Sequence, residues 1–183
     1  SKSEEAISSR TISRILSSLR SFFNYLVTEK VREDNPAKTV DMPKLSKKLP
    51  EVLSIEDIDK FLSKIDIEQP AGLRDRALFE LIYSCGLRVS EAVSLTFGSL
   101  FLDEKLIRVR GKGEKDRFVP LGDEVVYWLK RYIDEGRPAM LKKADSRGFL
   151  FLNYRGQPLS RKGMWKRFQE IAAKAGVKAK IHT

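Results

Sequence analysis

Arg88 and Lys112 are the two residues of this sequence whose type and spacing most clearly suggest chemistry. Arg88 comes just after an apolar, helix-like segment, and Lys112 follows 24 positions later, between two glycines of a hairpin-like segment. Because the residues between them are too few to form a separate domain, both cations belong to one compact unit. Two cations on one rigid scaffold suit a phosphate whose negative charge grows during a reaction. The pair therefore points to phosphodiester chemistry and not only to DNA binding.

The positive charge of the chain is concentrated near its end. The net charge is +10, yet residues 137–183 contain 12 Lys or Arg and 2 Asp or Glu, whereas residues 1–136 contain 23 of each class. The hairpin-like stretch 105–117 is a second local excess of positive charge. A solvated basic surface is one interpretation. A one-sided excess with an isoelectric point near 9.7 favours a polyanionic partner, most commonly nucleic acid.

Composition argues against several other classes of protein. A hydrophobic share of 42% and a charged share of 33% are typical of a globular chain. No apolar run reaches the ~20 residues of a membrane span, and no signal peptide precedes the first helix, so we expect no membrane partner and a cytoplasmic location. With one histidine and one cysteine, neither a metal nor another cofactor is predicted. Cys85 is expected to be a small buried hydrophobe in a reducing compartment.

The first part of the chain predicts one long helix and a linker. Apolar residues recur at spacings of three and four over residues 9–30, which is typical of an amphipathic helix. Residues 41–50 contain two prolines and three lysines without an apolar period, so they read as a linker. The residues before it are too few to build an independent core. We therefore divide the chain into a partial helical domain at 1–42, a linker at 43–50 and a second domain at 51–183.

The second domain is predicted to be mostly helical with a small antiparallel sheet. Ser54 suits an N-cap, with Asp57 three residues later, and Gly176 suits the position just past a helix end. The β-forming segments on either side of GKGEKD predict a hairpin. The predicted helices are 55–65, 71–85, 123–135 and 160–175, and the predicted strands are 106–110, 117–121 and 149–152.

Three motifs follow one another in this second domain. They read RDRALFELIYSCGLRVSEAVSL, RVRGKGEKDRFVPLG and FLNYRGQPLSRKGMWKRFQEIAAKAGV. In this order they resemble the catalytic domain of tyrosine recombinases of the phage-integrase type, closest to the XerC/XerD branch, and the resemblance covers essentially the whole chain. It implies an α+β catalytic domain, mostly α with a small antiparallel sheet, at 51–183. Before it, at 1–42, the resemblance implies part of a helical core-DNA-binding domain.

The resemblance implies an activity and a role for three residues. The family cuts DNA by attack of a tyrosine on a phosphodiester, which gives a 3′-phosphotyrosyl link and a free 5′-hydroxyl without ATP or metal. Arg88 would hold two non-bridging oxygens, Lys112 would be the general acid toward the 5′-oxygen, and Glu91 would orient the guanidinium. The alternatives are an ordinary (i, i+3) surface pair for Arg88 and Glu91, and an ordinary hairpin lysine at Lys112, with Lys115 as its rival.

Further basic residues are candidate DNA contacts. Arg117 is expected to contact phosphate or to pair with Asp116 rather than to take part in chemistry. Arg155, Arg161 and Lys162, around a turn and a helix start, are also expected to contact phosphate. The full set of predicted DNA-binding residues is Arg110, Lys115, Arg117, Arg155, Arg161 and Lys162.

The nucleophile of the family is not expected among the tyrosines of this chain. The family carries a His-x-Leu-Arg motif followed by the tyrosine, and this sequence reaches only Ile181-His182-Thr183. His182 could be the histidine of that motif, but its register favours an ordinary loop residue. Tyr83, Tyr127 and Tyr132 are expected to be packing residues. We therefore predict that this polypeptide binds DNA and does not cleave it.

The resemblance also implies partners and leaves two alternatives open. The implied partners are double-stranded DNA, further recombinase subunits in a homo- or hetero-tetramer, and possibly a DNA-translocase activator. A non-catalytic DNA-binding protein with a recombinase-like clamp is one alternative. A type IB topoisomerase-like enzyme, which relaxes supercoils as a monomer, is the other.

Overall fold

A computed structural model describes residues 7–44, 53–111, 113, 115–141 and 146–177. The chain separates into two units, residues 1–50 and residues 51–183. Within the described part of the chain, no helix has the length and apolar character needed to cross a bilayer.

The first unit is built around helix α1, Ser9–Thr28. Ser8 caps it by accepting a hydrogen bond from the backbone N–H of Thr11 at 3.2 Å. A 3₁₀ turn at Pro36–Lys38 folds back on α1, because Arg20 donates to the carbonyl of Ala37 at 3.0 Å. The helix predicted over residues 9–30 is confirmed, and it ends two residues earlier than predicted, at Thr28. Much of its apolar stripe lies exposed, and Phe22 is 54% exposed.

The second unit contains six helices and three strands among its described residues. Ser54 caps α2 as predicted, and Gly176 follows the last helix in the left-handed conformation as predicted. The bounds are α2 Ile55–Ser63, α3 Pro70–Cys85, α4 Val89–Val93, β1 Leu100–Phe101, β2 Leu106–Arg110, β3 Asp116–Pro120, α5 Asp123–Arg131, α6 Arg137–Met140 and α7 Arg161–Ala175, with a 3₁₀ turn at Phe97–Ser99 and a π-turn at Tyr132–Gly136.

The three strands form one antiparallel sheet in the order β1-β2-β3. Ile107 and Val109 are fully buried, while Arg108 and Arg110 on the same strand are exposed. This alternation follows from the two-residue period of a strand. The sheet therefore turns one face to the core and leaves a basic face outside, and its predicted hairpin is confirmed.

The core lies between the sheet and the long helix α3, which also packs against α5. Leu78 and Leu81 of α3 are fully buried, as are Leu129 of α5 and Tyr132 just after it. The predicted fold class, mostly α with a small antiparallel sheet, is confirmed.

Residues 149–152 are not the regular strand that their sequence predicts. Phe149 and Leu152 make only isolated bridges, because side chains bond to the backbone groups a strand would use. Tyr132 donates its hydroxyl to the carbonyl of Leu150 at 3.1 Å and accepts from the N–H of Leu152 at 3.2 Å. Arg137 also donates to the carbonyl of Leu150, at 3.1 Å.

Cys85 is only partly buried, so its prediction as a fully buried hydrophobe is wrong. It ends α3, where its thiol donates to the carbonyl of Pro120 at 3.6 Å. The burial it does have raises the pKa of the thiol.

Candidate active site

Arg88 lies where the chain leaves the core and turns outward. Helix α3 ends at Gly86, whose φ of 59° lies in the left-handed region that glycine adopts most readily. Two residues later Arg88 caps the short helix α4. Its side chain is 74% exposed. The turn therefore presents a guanidinium to solvent from a rigid, buried helix.

Glu91 lies beneath Arg88 and is only 5% exposed. Its carboxylate accepts from the backbone N–H of Arg88 at 2.9 Å and from Nη1 of the same residue at 3.1 Å. The two contacts hold the start of α4 together. Arg88 and Glu91 are thus in contact, but because Glu91 is buried the alternative of an ordinary (i, i+3) surface pair does not describe them.

Arg117 of β3 is the second partner of Glu91. Its Nη1 and Nη2 donate to Oε1 and Oε2 of the carboxylate, each at 2.9 Å. The predicted pairing of Arg117 with Asp116 is wrong, because neighbouring residues of a strand point to opposite faces. Asp116 lies on the outer face with Arg108 and Arg110, at 3.9 and 3.7 Å.

The two arginines keep the carboxylate of Glu91 ionised. The pKa of Glu91 is lowered from 4.5 to about 2, chiefly by the hydrogen bonds from Arg117. Partial desolvation opposes this shift, and the hydrogen bonds from Arg88 add to it. The same pairing raises the pKa of Arg117. Near neutral pH the cluster of Arg88, Glu91 and Arg117 therefore carries two positive charges and one negative charge.

A cavity of about 380 Å³ opens beside this cluster. Arg88 and Glu91 line one side, and Arg110 and Gly111, at the end of β2, line the other. Gly111 is close to the cluster, because a Cβ at this position would lie 3.4 Å from Nη1 of Arg117. The residues that line the cavity are Arg88, Ser90, Glu91, Ser94, Arg110 and Gly111.

Lys112 itself lies outside the described residues. Its neighbours Gly111 and Gly113 are described: the N–H of Gly111 donates to the carbonyl of Lys115 at 2.9 Å, and Gly113 has a φ of 75°. The Lys115 side chain is exposed on the same tip. The predicted role of Lys112, with Lys115 as its rival, stays a prediction.

Three of the predicted DNA contacts lie away from this cavity. Arg155 is in the turn after residue 152, where its Nε donates to the hydroxyl of Tyr154 at 2.9 Å and its guanidinium lies 5.2 Å from the ring centre. Arg161 and Lys162 begin α7 and are exposed. None of the three is among the residues that line the cavity.

Sequence reasoning missed Ser90 and Ser94 in the cavity wall and Arg117 as the partner of Glu91. The alternation of β3 contains a usable signal for Arg117, since it places Arg117 on the face opposite to Asp116. Nothing in the spacing of Ser90 and Ser94 distinguishes them from ordinary helix residues.

None of the tyrosines described in the second unit is among the residues that line the cavity. Tyr132 is fully buried and its pKa is raised to about 12, chiefly by burial, so its predicted packing role is confirmed. The packing role predicted for Tyr83 and Tyr127 applies to only part of each side chain, because these residues are 50% and 51% exposed. His182 lies outside the described residues.

Among the described residues, no cluster of three or more His, Cys, Asp or Glu could hold a metal ion.

Comparison with known families and sequences is consistent with this arrangement. The model of the Phage integrase family matches residues 51–183. The chain is 43% identical over 175 residues to the tyrosine recombinase XerD of Proteus mirabilis, covering 95% of this chain and 55% of that protein. It is 44% identical over 168 residues to XerD of Pseudomonas putida, covering 92% and 56%. The chain thus spans little more than half the length of these curated relatives.

Solved structures share the fold. The XerH site-specific recombinase, bound to a palindromic difH substrate, is 25% identical with a TM-score of 0.70 over 95% of this chain and 50% of that one. The Tn1549 transposon integrase, in complex with circular intermediate DNA, has a TM-score of 0.74 at 22% identity, over 98% and 63%. The second likeness concerns the fold alone.

Proposed function

The chain belongs to the phage integrase family, and from this premise we propose that it is part of a site-specific DNA recombinase of the tyrosine type. Such an enzyme cleaves and rejoins DNA through a 3′-phosphotyrosyl intermediate. One observation carries the proposal: the exposed guanidinium of Arg88 and the hairpin end at Gly111 line the same cavity. A scissile phosphate in that cavity would lie between the two cationic elements of the sequence motifs.

Arg88 binds the non-bridging oxygens of that phosphate. One of its five N–H donors is used on Glu91, which leaves the others for an oxyanion. A planar guanidinium can hold two oxygens at once, and its charge stabilises the additional negative charge of the pentacoordinate transition state. Glu91 fixes the direction of Arg88 and remains ionised at neutral pH.

Lys112 supplies the proton in this proposal. The tyrosine loses its phenolic proton to water as its oxygen bonds to phosphorus, the bond to the 5′-oxygen breaks, and the ammonium of Lys112 gives its proton to that oxygen. The products are a 3′-phosphotyrosyl ester and a free 5′-hydroxyl. Gly113, with its positive φ, lets the hairpin tip adopt a tight turn next to a DNA backbone. Lys115 is the alternative donor on the same tip.

The nucleophilic tyrosine is supplied from outside this sequence. Tyr132 is buried, and its raised pKa opposes ionisation. The other four tyrosines, Tyr25, Tyr83, Tyr127 and Tyr154, are exposed but do not line the cavity of Arg88. The 183-residue polypeptide therefore binds DNA without cutting it.

Binding extends beyond the cavity in this proposal, because the basic charge of the second domain does. The proposed phosphate contacts are Arg110, Lys115, Arg155, Arg161 and Lys162. Duplex DNA in the cytoplasm is the substrate, and further recombinase subunits, identical or paralogous, complete a tetramer on it. A DNA-translocase activator is a further partner, proposed from family resemblance alone.

The test is to mix the 183-residue chain with a labelled duplex and with a nicked suicide substrate. Fluorescence anisotropy should show salt-dependent binding, and denaturing electrophoresis should show no covalent protein–DNA adduct. Absence of DNA binding would overturn the proposed function, whereas an adduct would overturn only the claim about the nucleophile.

A full-length protein that contains this sequence separates the three classes of function. Recombination between two sites supports a recombinase. Relaxation of supercoiled DNA without recombination supports a type IB topoisomerase-like enzyme, and DNA binding with neither activity supports a non-catalytic clamp.

A further inference from the structure

Glu91 is shared unequally between its two arginines. Arg117 uses both terminal nitrogens on the carboxylate at 2.9 Å, whereas Arg88 uses one, at 3.1 Å, together with its backbone N–H. The exposed fraction of the side chain is 41% for Arg117 and 74% for Arg88. The carboxylate is thus held mainly by the arginine that faces inward.

We infer that Arg117 is a positioning residue for Arg88. It occupies and neutralises Glu91, so that the guanidinium of Arg88 keeps its charge and most of its donors for a phosphate. This inference rests on the proposed function of Arg88. It gives Arg117 a part in the reaction that requires no contact with DNA.

The charges explain why a second arginine is needed. A carboxylate that is 5% exposed cannot be solvated by water and must be paired. With Arg88 as its sole partner it would draw that guanidinium into a bidentate contact, and the pair would carry no net charge. With Arg117 present the cluster keeps one surplus positive charge, and the surplus lies on the exposed member.

The same contact joins the two motifs. Arg117 is 26 positions from Glu91 and lies in β3, which pairs with β2 on the other side of the hairpin tip. Glu91 belongs to α4, which Arg88 caps. The bidentate bond therefore also fixes the distance between the hairpin and the start of α4, where Arg88 is held.

The test exploits the balance of charge with neutral substitutions of similar shape. In R117Q, Glu91 captures Arg88 and the cluster loses its surplus charge. In the double variant R117Q/E91Q the carboxylate is neutral as well, so Arg88 is released and the surplus charge returns. R88Q is the reference for complete loss of the phosphate contact.

Binding of a short labelled duplex by the 183-residue chain is measured over a range of salt concentrations. R117Q and R88Q should each weaken binding about tenfold and reduce the slope of log K against log salt by about 0.9. The double variant R88Q/R117Q leaves Glu91 without either arginine, so it should bind no more tightly than R88Q. R117Q/E91Q should recover both the affinity and the slope of the unsubstituted chain.

Different results overturn the inference. If R117Q/E91Q binds as weakly as R117Q, Arg117 contacts DNA directly or only supports the fold. R117K retains the positive charge, so it should keep most of the affinity, and it serves as the check if R117Q does not fold. Loss of affinity in a folded R117K equal to that in R88Q would also contradict the inference.

A readout without DNA separates this inference from the proposed function. ¹⁵N-detected NMR of the Arg88 guanidinium should show slowed rotation of its terminal groups in R117Q, since both are then held by Glu91, and free rotation again in R117Q/E91Q. If the unsubstituted chain binds no DNA, the proposed function fails; the NMR comparison still tests the capture of Arg88. Unchanged rotation of the Arg88 guanidinium in R117Q would overturn the inference that Arg117 positions Arg88.

Discussion

Two clusters in the second unit each have a carboxylate bound by two arginines, and they lie in opposite settings. Each has one carboxylate between two arginines: Glu91 with Arg88 and Arg117, and Asp75 with Arg74 and Arg167. In the Asp75 cluster, Arg74 donates to Oδ1 at 2.8 and 2.6 Å and Arg167 donates to Oδ2 at 2.7 Å. Asp75 is fully buried. The arginine donors that the central carboxylate does not use have different partners in the two clusters.

In the Asp75 cluster the spare donors are used inside the protein. Nη1 of Arg74 donates to the carbonyl of Leu152 at 2.9 Å, and Arg167 also contacts Glu170. Helix α3, helix α7 and the irregular segment 149–152 are thereby joined. In the Glu91 cluster the spare donors of Arg88 face solvent. An arginine–carboxylate cluster thus joins elements of the fold when its further donors have protein partners, and it presents donors to an anion when one arginine stays exposed.

The largest expected effect comes from breaking the buried cluster. Asp75→Asn leaves Arg74 without a counter-charge in the core, so we expect a loss of about 3–5 kcal/mol of unfolding free energy. Urea denaturation followed by circular dichroism measures it. Asp123→Asn, at an exposed pair with Lys105, is the control and should hardly change the midpoint. Equal effects in both variants would refute the distinction between the clusters.

The exposed cluster should show the reverse pattern. Arg88→Gln should weaken DNA binding roughly tenfold or more, because it removes a charge-assisted phosphate contact, while the urea midpoint stays nearly unchanged. Arg131→Gln, which removes an exposed pair with Glu135 away from the cavity, is the matched control for affinity. A large loss of stability in Arg88→Gln, with DNA binding intact, would make this cluster structural like the other.

The pH dependence of stability should report on Glu91. Its pKa is about 2 in the folded protein against an ordinary value of 4.5, so its ionised form is favoured by folding. This contribution is fully present above about pH 4.5 and is lost as the pH falls toward 2. Unfolding free energies of the unsubstituted chain and of Glu91→Gln should therefore converge on acidification over this range. A constant difference would show that the carboxylate is not selectively stabilised by the two arginines.

The smallest expected effect concerns the turn that joins the two clusters along the chain. Gly86 ends α3, which carries Asp75, and precedes Arg88. A Cβ at Gly86 would meet nothing within 4 Å, so the cost of Gly86→Ala comes from its positive φ alone, at about 1–2 kcal/mol. The shift in urea midpoint measures it. A change within error would mean that the turn relaxes at no cost, and the affinity for DNA would then reveal whether Arg88 has moved.

Local patterns predicted the elements well. Apolar spacing identified the helices that became α1, α2, α3, α5 and α7, because a helix buries one face at a fixed period. The glycine-rich tip between β-formers predicted the hairpin for a similarly local reason. The resemblance of the motifs then pointed to Arg88, which does line a cavity, while the role of Lys112 stays a prediction.

The errors arose where distant residues compete for the same groups. Residues 149–152 have the composition of a strand, but Tyr132, Arg137 and Arg74 bond to their backbone groups instead. Arg117 was expected to contact phosphate or to pair with its neighbour Asp116, whereas the fold pairs it with Glu91. Cys85 has the spacing of a core residue and is only partly buried at the helix end.

The amino-acid sequence by itself determined the helices, the hairpin and the excess of positive charge, since each depends on neighbours within a few turns of chain. Only the tertiary structure decided whether the arginine donors that the carboxylate does not use have a partner inside the protein or face solvent. Arg74 and Arg88 both follow a Gly-Leu pair and both lie near an acidic residue. Burial gives the spare donors of Arg74 a carbonyl partner, and a left-handed turn at Gly86 leaves those of Arg88 in water. That difference in solvation separates a structural cation from one that can hold a phosphate.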